Sequence, residues 1–431
     1  MKPTQTTVKL ASFFAISLSL LTGVVAQDRS NEEQEAQISD PNEECAPYYW
    51  AGSADHLSSF PTIWEPASIL STDTAAQDKW NEIKDKIPNI PPKGTHNGDF
   101  SGVNYPADDP DCWWTAHQCV TPKLAGLPPD ISSVPEPLTV GYGFDDGPNC
   151  SHNAFYDYLQ ENNQKATMFF IGSNVMDWPL EAQRAVVEGH EICVRKYDLP
   201  FHRNVGIDAT VKIPGHTITM QAIKLVAGVT PTCWRPPFGD TDDRIRAIAN
   251  ALGMTTITWQ YDSDDWQVAA GKATPEQVDQ NYMDFINAAK TGKFDTEGGI
   301  ILTHELNNFT MSEAVKFYPQ LKEAFKYIVP VGVAMNKTQP YVETNYTLPT
   351  FEEYISGTIT KDPGSAPEST SSTTSNARAS ATPSGSAGKS NSSQSSSSHA
   401  ANNGSSSNNL SISLLQTLLS VASLLIGTAL L

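Results

Sequence analysis

The stretch that decides the fold is Gly141-Tyr142-Gly143-Phe144-Asp145-Asp146-Gly147-Pro148, which follows the extended apolar segment 137–140. The apolar lead-in predicts a buried strand, and the glycine and proline at its end predict a turn. Two adjacent carboxylates, Asp145 and Asp146, therefore lie at a strand end. Neighbouring carboxylates repel each other unless a cation or a proton separates them. Alone, the pattern also fits a solvated turn, so its meaning depends on the rest of the chain.

From about residue 137 to 335, strand-like and helix-like segments alternate along the chain. The predicted strands after the first are 166–172, 190–194, 255–259, 299–303 and 329–333. The predicted helices are 154–162, 180–188, 220–228, 245–252, 275–291 and 314–327. Repeated units of this kind predict an α/β fold with a parallel sheet inside a layer of helices, open or closed into a barrel. Reactive side chains in such folds lie at the C-terminal ends of strands, where Asp145, Asp146 and His304 all fall.

Length and charge set the broad class of the protein. The 431 residues, 39% of them hydrophobic, are enough for one large core with material left over at both ends. A net charge of −20 argues against nucleic acids and anionic membrane surfaces as partners. It is compatible with a neutral or cationic polymer.

The N-terminal part differs in composition from the middle. Residues 1–26 predict a signal peptide, with two lysines, a short apolar run over 10–21 and small residues before Gln27. A membrane anchor is the alternative, disfavoured by the shortness of that run. Residues 27–134 show no persistent period and predict an irregular extension that wraps the core. Its aromatic residues either pack against the core or stack on sugar rings.

The C-terminal part changes composition twice. After a short extension over 336–362, residues 363–409 are rich in Ser, Thr, Ala, Gly and Asn and predict a disordered stalk. Residues 410–431 form an apolar, uncharged segment preceded by small residues. That order is typical of the signal for a glycolipid (GPI) anchor, with a retained tail-anchor helix as the alternative.

Cysteine usage agrees with a secreted protein. The chain has six cysteines, an even number without any Cys-x-x-Cys spacing, which predicts disulfides and leaves their pairing open. Asn-x-Ser/Thr sequons at Asn149, Asn308, Asn336 and Asn345 fit the same compartment.

Four further blocks carry residues suited to catalysis. The first is Cys233-Trp234-Arg235-Pro236-Pro237-Phe238-Gly239-Asp240, in which a rigid turn fixes Arg235 and Phe238. The others are Tyr261-Asp262-Ser263-Asp264-Asp265-Trp266, Leu302-Thr303-His304-Glu305 and the segment that begins at His190. Each has an ordinary structural reading: a buried ion pair of Arg235 with Asp262, Trp266 as a core residue, and His304 as a core histidine.

Together and in this order, the blocks resemble the polysaccharide deacetylases of carbohydrate esterase family four, the NodB-homology domain, over roughly residues 135–335. Within that family the chain looks most like fungal chitin deacetylases. The resemblance implies a distorted (β/α) barrel and a divalent metal, zinc or cobalt, bound in part by Asp146. It further implies chitin or chitin oligomers as substrate, a glycolipid anchor at the cell surface and a monomer.

The resemblance also implies a role for each candidate residue. Asp145 is the general base, and His304 protonates the leaving amine. Arg235 orients Asp145 and is itself held by Asp262. The remaining assignments concern the substrate: the backbone N–H of Phe238 faces the oxyanion, and Leu302 and Trp266 form the pocket for the acetyl methyl group.

One family motif is missing from the chain. The family carries two histidines one helical turn apart, which complete the metal site with Asp146. Here the expected place reads Arg195-Lys196-Tyr197-Asp198-Leu199, and family-like sequence returns only near Met220. His202 and His216 are the histidines between these points, and neither has a partner at the right spacing.

Two explanations remain open at this stage. The chain is either a true variant that keeps the polysaccharide groove but has impaired catalysis, or residues 195–219 are a translated intron that replaces an exon. Arg195-Lys196-Tyr197 can be encoded by CGT-AAG-TAT, which contains the intron start GTAAGT. The sharp edges of the divergent segment favour the second explanation. The function expected from the sequence is chitin deacetylation, with a non-catalytic cell-wall protein or an esterase on acetylated xylan as alternatives.

Overall fold

The computed structural model describes residues 28–64, 67–94, 100–195 and 214–358. The predicted signal peptide, stalk and anchor signal, like most of the segment that replaces the missing motif, lie outside the described residues. Within them, no helix is both long and apolar enough to cross a membrane.

Short strands form three hydrogen-bonded sheets. The strands are β1 Ser133–Val134, β2 Thr139–Gly141, β3 Gly143–Gly147, β4 Thr167–Phe170, β5 Glu191–Val194, β6 Cys233–Trp234, β7 Thr255–Thr256, β8 Tyr261–Asp262, β9 Gly298–Gly299, β10 Ile301–Leu302 and β11 Tyr327–Val329. The largest sheet has the order β3-β4-β5-β6-β7, with every pair parallel. A second sheet has the order β1-β9-β2-β11, and β8 pairs with β10.

The three sheets are linked because strands continue from one to the next. β2 runs into β3 and β9 into β10, with one residue between the strands of each pair. A parallel bridge joins Asp145 of β3 to His304, just after β10. The predicted α/β fold with parallel strands, a distorted barrel, is therefore confirmed. Its construction brings the stretch that contains Asp145 next to the block that contains His304.

Helices cover the outside of the strands. They are α1 Glu32–Glu35, α2 Pro41–Glu44, α3 Ala51–Ala54, α4 Thr74–Ile83, α5 Trp114–His117, α6 Asn153–Glu161, α7 Gly172–Asp177, α8 Pro179–Val187, α9 Pro214–Ala227, α10 Asp243–Ala251, α11 Pro275–Lys290, α12 Asn308–Ala324, α13 Val331–Ala334 and α14 Phe351–Ser356. The six helices predicted between 154 and 327 are all present, with ends shifted by at most six residues.

Three local predictions were wrong. The strand predicted over 329–333 ends at Val329, and the chain turns into α13. The segment thought to lack periodicity up to residue 219 is helical from Pro214. The N-terminal extension is not irregular throughout, because it contains the ten-residue helix α4, whose N-cap Asp73 accepts a hydrogen bond from the backbone N–H of Ala76.

The extension is fastened to the barrel by covalent and polar contacts. The disulfide Cys45–Cys150 ties it to the loop that follows β3. Trp113, which is almost fully buried, donates its indole N–H to Asp240 Oδ1 at 2.7 Å. Packing rather than sugar stacking is therefore the role of this aromatic residue. The other disulfides are Cys112–Cys119, within the extension, and Cys193–Cys233, between β5 and β6.

Candidate active site

The two adjacent carboxylates lie at the C-terminal end of β3. Asp145 is fully buried, whereas Asp146 has a φ of 69° in the left-handed region and retains slight exposure. The register of β3 with β4 shifts between Asp145 and Gly147, as in a bulge. A bulge re-aims side chains at a strand end. Asn174 on α7 holds the turn by donating its side-chain amide to the Asp146 carbonyl at 2.9 Å.

Arg235 is placed against Asp145 by the neighbouring strands. Its backbone N–H donates to the Val194 carbonyl, which sets it directly beyond β6. Its Nη1 lies 2.7 Å from Asp145 Oδ1, and both side chains are fully buried. The guanidinium also stacks 3.9 Å above the Phe169 ring. The predicted pairing of Arg235 with Asp145 is present in the structure.

His304 is held by a carboxylate to which the sequence gave no role. Its Nδ1 lies 2.6 Å from Asp265 Oδ1, and its backbone N–H donates to Asp265 Oδ2 at 3.0 Å. Burial alone would lower the pKa of His304, but the negative charge of Asp265, with smaller contributions from Asp146 and Asp145, raises that pKa to about 9. The imidazole is therefore protonated at neutral pH and has a proton to donate.

Trp266 lies beside the histidine, and Phe238 packs against Trp266. Phe238 sits in a single 3-10 turn with a φ of 57°, and its ring lies 5.9 Å from that of Trp266. The Trp266 ring lies 6.5 Å from His304. Leu302 is fully buried on β10, two residues before the histidine. Phe238 and Trp266 are half-buried, so they form an accessible apolar wall beside the acid. The role of the Phe238 N–H toward an oxyanion stays a prediction.

The predicted tether between Asp262 and Arg235 is not formed. Asp262 pairs in register with Leu302 on β10 and accepts a hydrogen bond from the Asp264 backbone N–H at 2.9 Å. Among the described residues, Arg235 Nε and Nη2 have no hydrogen-bond partner. Burial raises the pKa of Asp262 to about 6. Asp262 therefore influences Arg235 only through its charge, at longer range.

Arg195 occupies the position next to both carboxylates. It follows β5, is almost fully buried, and donates its backbone N–H to the Phe170 carbonyl. Its Nη1 lies 2.8 Å from Asp145 Oδ2, and its Nε lies 3.0 Å from Asp146 Oδ1. In the sequence, Arg195 stands out only as the first residue of the segment found in place of the missing motif. The signal that could have identified it is its position directly after β5, the strand between β4 and β6.

The residues described here do not fit the metal that the resemblance implies. A catalytic zinc ion needs three protein ligands, and within the described ranges no group of three ligand side chains includes Asp146. The groups that cluster closely enough contain Cys112 with Cys119 or Cys193 with Cys233, and these cysteines are in disulfides. His202 lies outside the described residues, as does the side chain of His216. The guanidinium of Arg195 lies beside Asp146, where a metal ion would bind.

Glu305 connects the strand of His304 to the loop of Asp146. Its backbone N–H donates to the Asp145 carbonyl at 2.8 Å. Its carboxylate accepts hydrogen bonds from the Asn149 backbone N–H at 3.0 Å and from the Tyr156 hydroxyl at 3.1 Å, and lies 2.8 Å from His152 Nδ1. The side chains of Glu305, His152 and Tyr156 in this network are fully buried.

The chain is similar in sequence to known proteins. The family model described as polysaccharide deacetylase matches residues 133–257. The chain is 52% identical over 333 residues to a protein of Cryptococcus neoformans var. grubii named chitin deacetylase 2, covering 76% of this chain and 73% of that protein. It is 44% identical over 326 residues to the chitin deacetylase of Amylomyces rouxii, covering 72% of this chain and 74% of that one.

A solved structure is also similar. The chitin deacetylase from the fungal pathogen Colletotrichum lindemuthianum matches with a TM-score of 0.43 and 22% identity, over 49% of this chain and 92% of that one. The chain belongs to the polysaccharide deacetylase family, a family of hydrolases that act on amides.

Proposed function

We propose that the protein is a chitin deacetylase, which hydrolyses the N-acetyl groups of chitin to give chitosan and acetate. The observation that carries this proposal is the pairing of Asp145 with His304 across a parallel bridge, each held by a separate buried partner. Two relatives that are about half identical to the chain are named chitin deacetylases, which supports the substrate.

The two residues suit the two proton transfers of amide hydrolysis. The carboxyl group of Asp145 is paired with Arg235, and its role is to accept a proton from the attacking water. A C–O bond forms at the acetyl carbon, and the C–N bond breaks. His304 gives its proton to the departing amine, since Asp265 keeps the imidazole charged at neutral pH. The apolar wall of Phe238 and Trp266 would exclude water from the acetyl methyl group.

Acetate release from chitin oligomers tests this proposal. We expect acetate from the full chain, and at least ~100-fold less from Asp145→Asn or His304→Gln, the loss typical of removing a general base or acid. Asp284→Asn, an exposed position on α11, is the matched control and keeps the wild-type rate. Equal rates in the Asp145→Asn variant and the control would show that the assignment is wrong.

A second candidate is a homologue that binds the polysaccharide without deacetylating it. It is favoured by the ion pairs of Asp145, whose Oδ1 is engaged by Arg235 and whose Oδ2 is engaged by Arg195. With both oxygens in contact with guanidinium groups, Asp145 has no oxygen left open to an attacking water. Retention of the protein on chitin oligomers, together with no acetate above background, would identify this function.

The proposed place of action is the cell surface. The basis is the sequence of residues 1–26 and 410–431, which predict a signal peptide and a glycolipid anchor and lie outside the described residues. Release of the protein from intact cells by a phosphatidylinositol-specific phospholipase tests the anchor. Retention after that treatment would favour a tail-anchor helix instead.

A further inference from the structure

The Arg195 side chain contacts several elements of the site at once. Besides its ion pairs with Asp145 and Asp146, its Nη1 donates to the Pro236 carbonyl at 2.8 Å, and Pro236 leads into the turn of Phe238. Three elements, the ends of β3 and β5 and the loop after β6, therefore meet on one guanidinium. The planar fork of arginine makes such multiple contacts with little loss of side-chain freedom.

Among the described residues, the four side chains in direct ion pairs at this point balance in charge. Asp145 and Asp146 bring two negative charges, and Arg195 and Arg235 bring two positive ones, with all four side chains at least nine-tenths buried. A buried carboxylate pair attracts a divalent cation when its charge is uncompensated. With the charge compensated, a further cation would meet repulsion from both guanidinium groups.

The space also conflicts with a metal at Asp146. A zinc ion on a carboxylate lies about 2.0–2.2 Å from its oxygen. Arg195 Nε lies 3.0 Å from Asp146 Oδ1, on the carboxylate that the family uses as a ligand. A metal on that oxygen would therefore stand within a few ångströms of a charged nitrogen.

We propose that Arg195 takes the place of the divalent metal in this chain, so that the folded protein holds no metal at Asp145 and Asp146. This inference rests on the proposed function only in treating Asp146 as the family's metal ligand. Deacetylases of the family generally depend on a metal, so the arginine separates this chain from them. The guanidinium supplies positive charge at the carboxylates but no exchangeable position for water.

Metal content of the purified full chain is the first test, and it includes the residues that the structure does not describe. The protein is dialysed against zinc or cobalt, desalted and analysed by mass spectrometry for metal per chain. We expect far less than one equivalent, and a thermal unfolding midpoint that is the same with zinc and with EDTA. One equivalent of bound metal, lost with EDTA together with a fall in the midpoint, would overturn the inference.

Substitution of Arg195 is the second test. Arg195→Met removes the charge while keeping the length of the side chain, and it leaves Asp145 and Asp146 with Arg235 alone. Two carboxylates bind zinc more weakly than the three ligands of a catalytic site, so we expect the unfolding midpoint of Arg195→Met to rise only at zinc concentrations well above that of the chain. Arg246→Met, at a buried arginine paired with Asp130, gains no response to zinc at the same concentrations. Arg195→Lys preserves the charge and should stay insensitive to zinc, even if Arg195→Met folds poorly. If Arg195→Lys binds one equivalent of zinc and its unfolding midpoint rises with zinc, the inference is contradicted.

These outcomes are separate from those of the deacetylation assay. Acetate release without bound metal supports both proposals. Acetate release with one bound, EDTA-removable metal keeps the proposed function and overturns the role of Arg195. Absence of both acetate and metal keeps the role of Arg195 and overturns deacetylation.

Discussion

The contact between Asp265 and His304 gives the most quantitative prediction. Asp265→Asn keeps the size of the side chain and removes the charge that raises the pKa of the imidazole from 6.5 to about 9. A rise of about 2.5 in pKa, at about 1.4 kcal/mol for each pKa step, corresponds to about 3 kcal/mol of stability. This figure is a net effect: burial lowers the pKa of His304, and the charges of Asp265, Asp146 and Asp145 together raise it.

The sign of the pH dependence follows from the raised pKa. In the folded protein His304 binds its proton more tightly than in the unfolded chain, so its contribution is complete below about pH 6.5 and is lost as the pH rises through about 9. The wild type should therefore be more stable than Asp265→Asn by about 3 kcal/mol at pH 6. At pH 10 only the neutral hydrogen bond remains, and the difference shrinks to about 1 kcal/mol.

Urea unfolding at pH 6 and pH 10 measures this difference. Asp264→Asn is the control, because Asp264 accepts hydrogen bonds from Gln267 and Asn281 and lies beside the histidine loop without contacting His304. We expect the control to differ from the wild type by the same amount at both pH values. If the gap between wild type and Asp265→Asn is also constant with pH, the carboxylate does not hold the charge of His304 and the reasoning is refuted.

Three further predictions concern stability. Gly147→Ala should destabilise the fold by about 1–3 kcal/mol, because a Cβ there would lie 2.4 Å from Glu305 Oε2, whereas Gly102→Ala meets no atom within 4 Å and should be close to neutral. Cys45→Ser opens a disulfide that spans 105 residues and should lower the free energy of unfolding in urea by about 4 kcal/mol. Burial raises the pKa of Glu181 well above its usual value, so its contribution to stability is lost as the pH rises from 4.5, and Glu181→Gln should be more stable than the wild type at pH 8; an unchanged or lower thermal midpoint would contradict this.

The sequence predicted the parts of the site that follow directly from strand ends. Asp145, Arg235 and His304 each come immediately after an apolar strand segment, and parallel strands bring their C-terminal ends to one edge. The order of these blocks was enough to place the three residues together. The alternation of strands and helices was likewise readable, because buried apolar runs and glycine caps mark it.

Side-chain partners were less accessible, because they depend on local backbone geometry. The run 261–266 contains three acids, and no periodicity shows which of them faces His304. Asp264 has a φ of 57°, and the turn that follows carries Asp265 to the histidine while Asp262 stays in register with Leu302. Arg195 was missed for a different reason, because the family resemblance pointed to the absent histidines. The strand that ends at Val194 nevertheless places the next residue, Arg195, beside the carboxylates.

The helices of the N-terminal extension were missed because they are short. Most of them span four residues, too few for a helical period to stand out, and their stability comes from capping and from contacts with the barrel. Asn31 and Asp40 cap the first two through their side chains.

The most direct test of the central claim is the product formed from a defined chitin oligomer. The purified full chain is incubated with a fully N-acetylated oligomer, and the masses of the sugars are followed over time. The account predicts that the oligomer loses acetyl groups without becoming shorter, and that this loss does not occur with Asp145→Asn. An oligomer that binds the protein yet keeps every acetyl group would contradict deacetylation and leave a polysaccharide-binding protein on the same barrel.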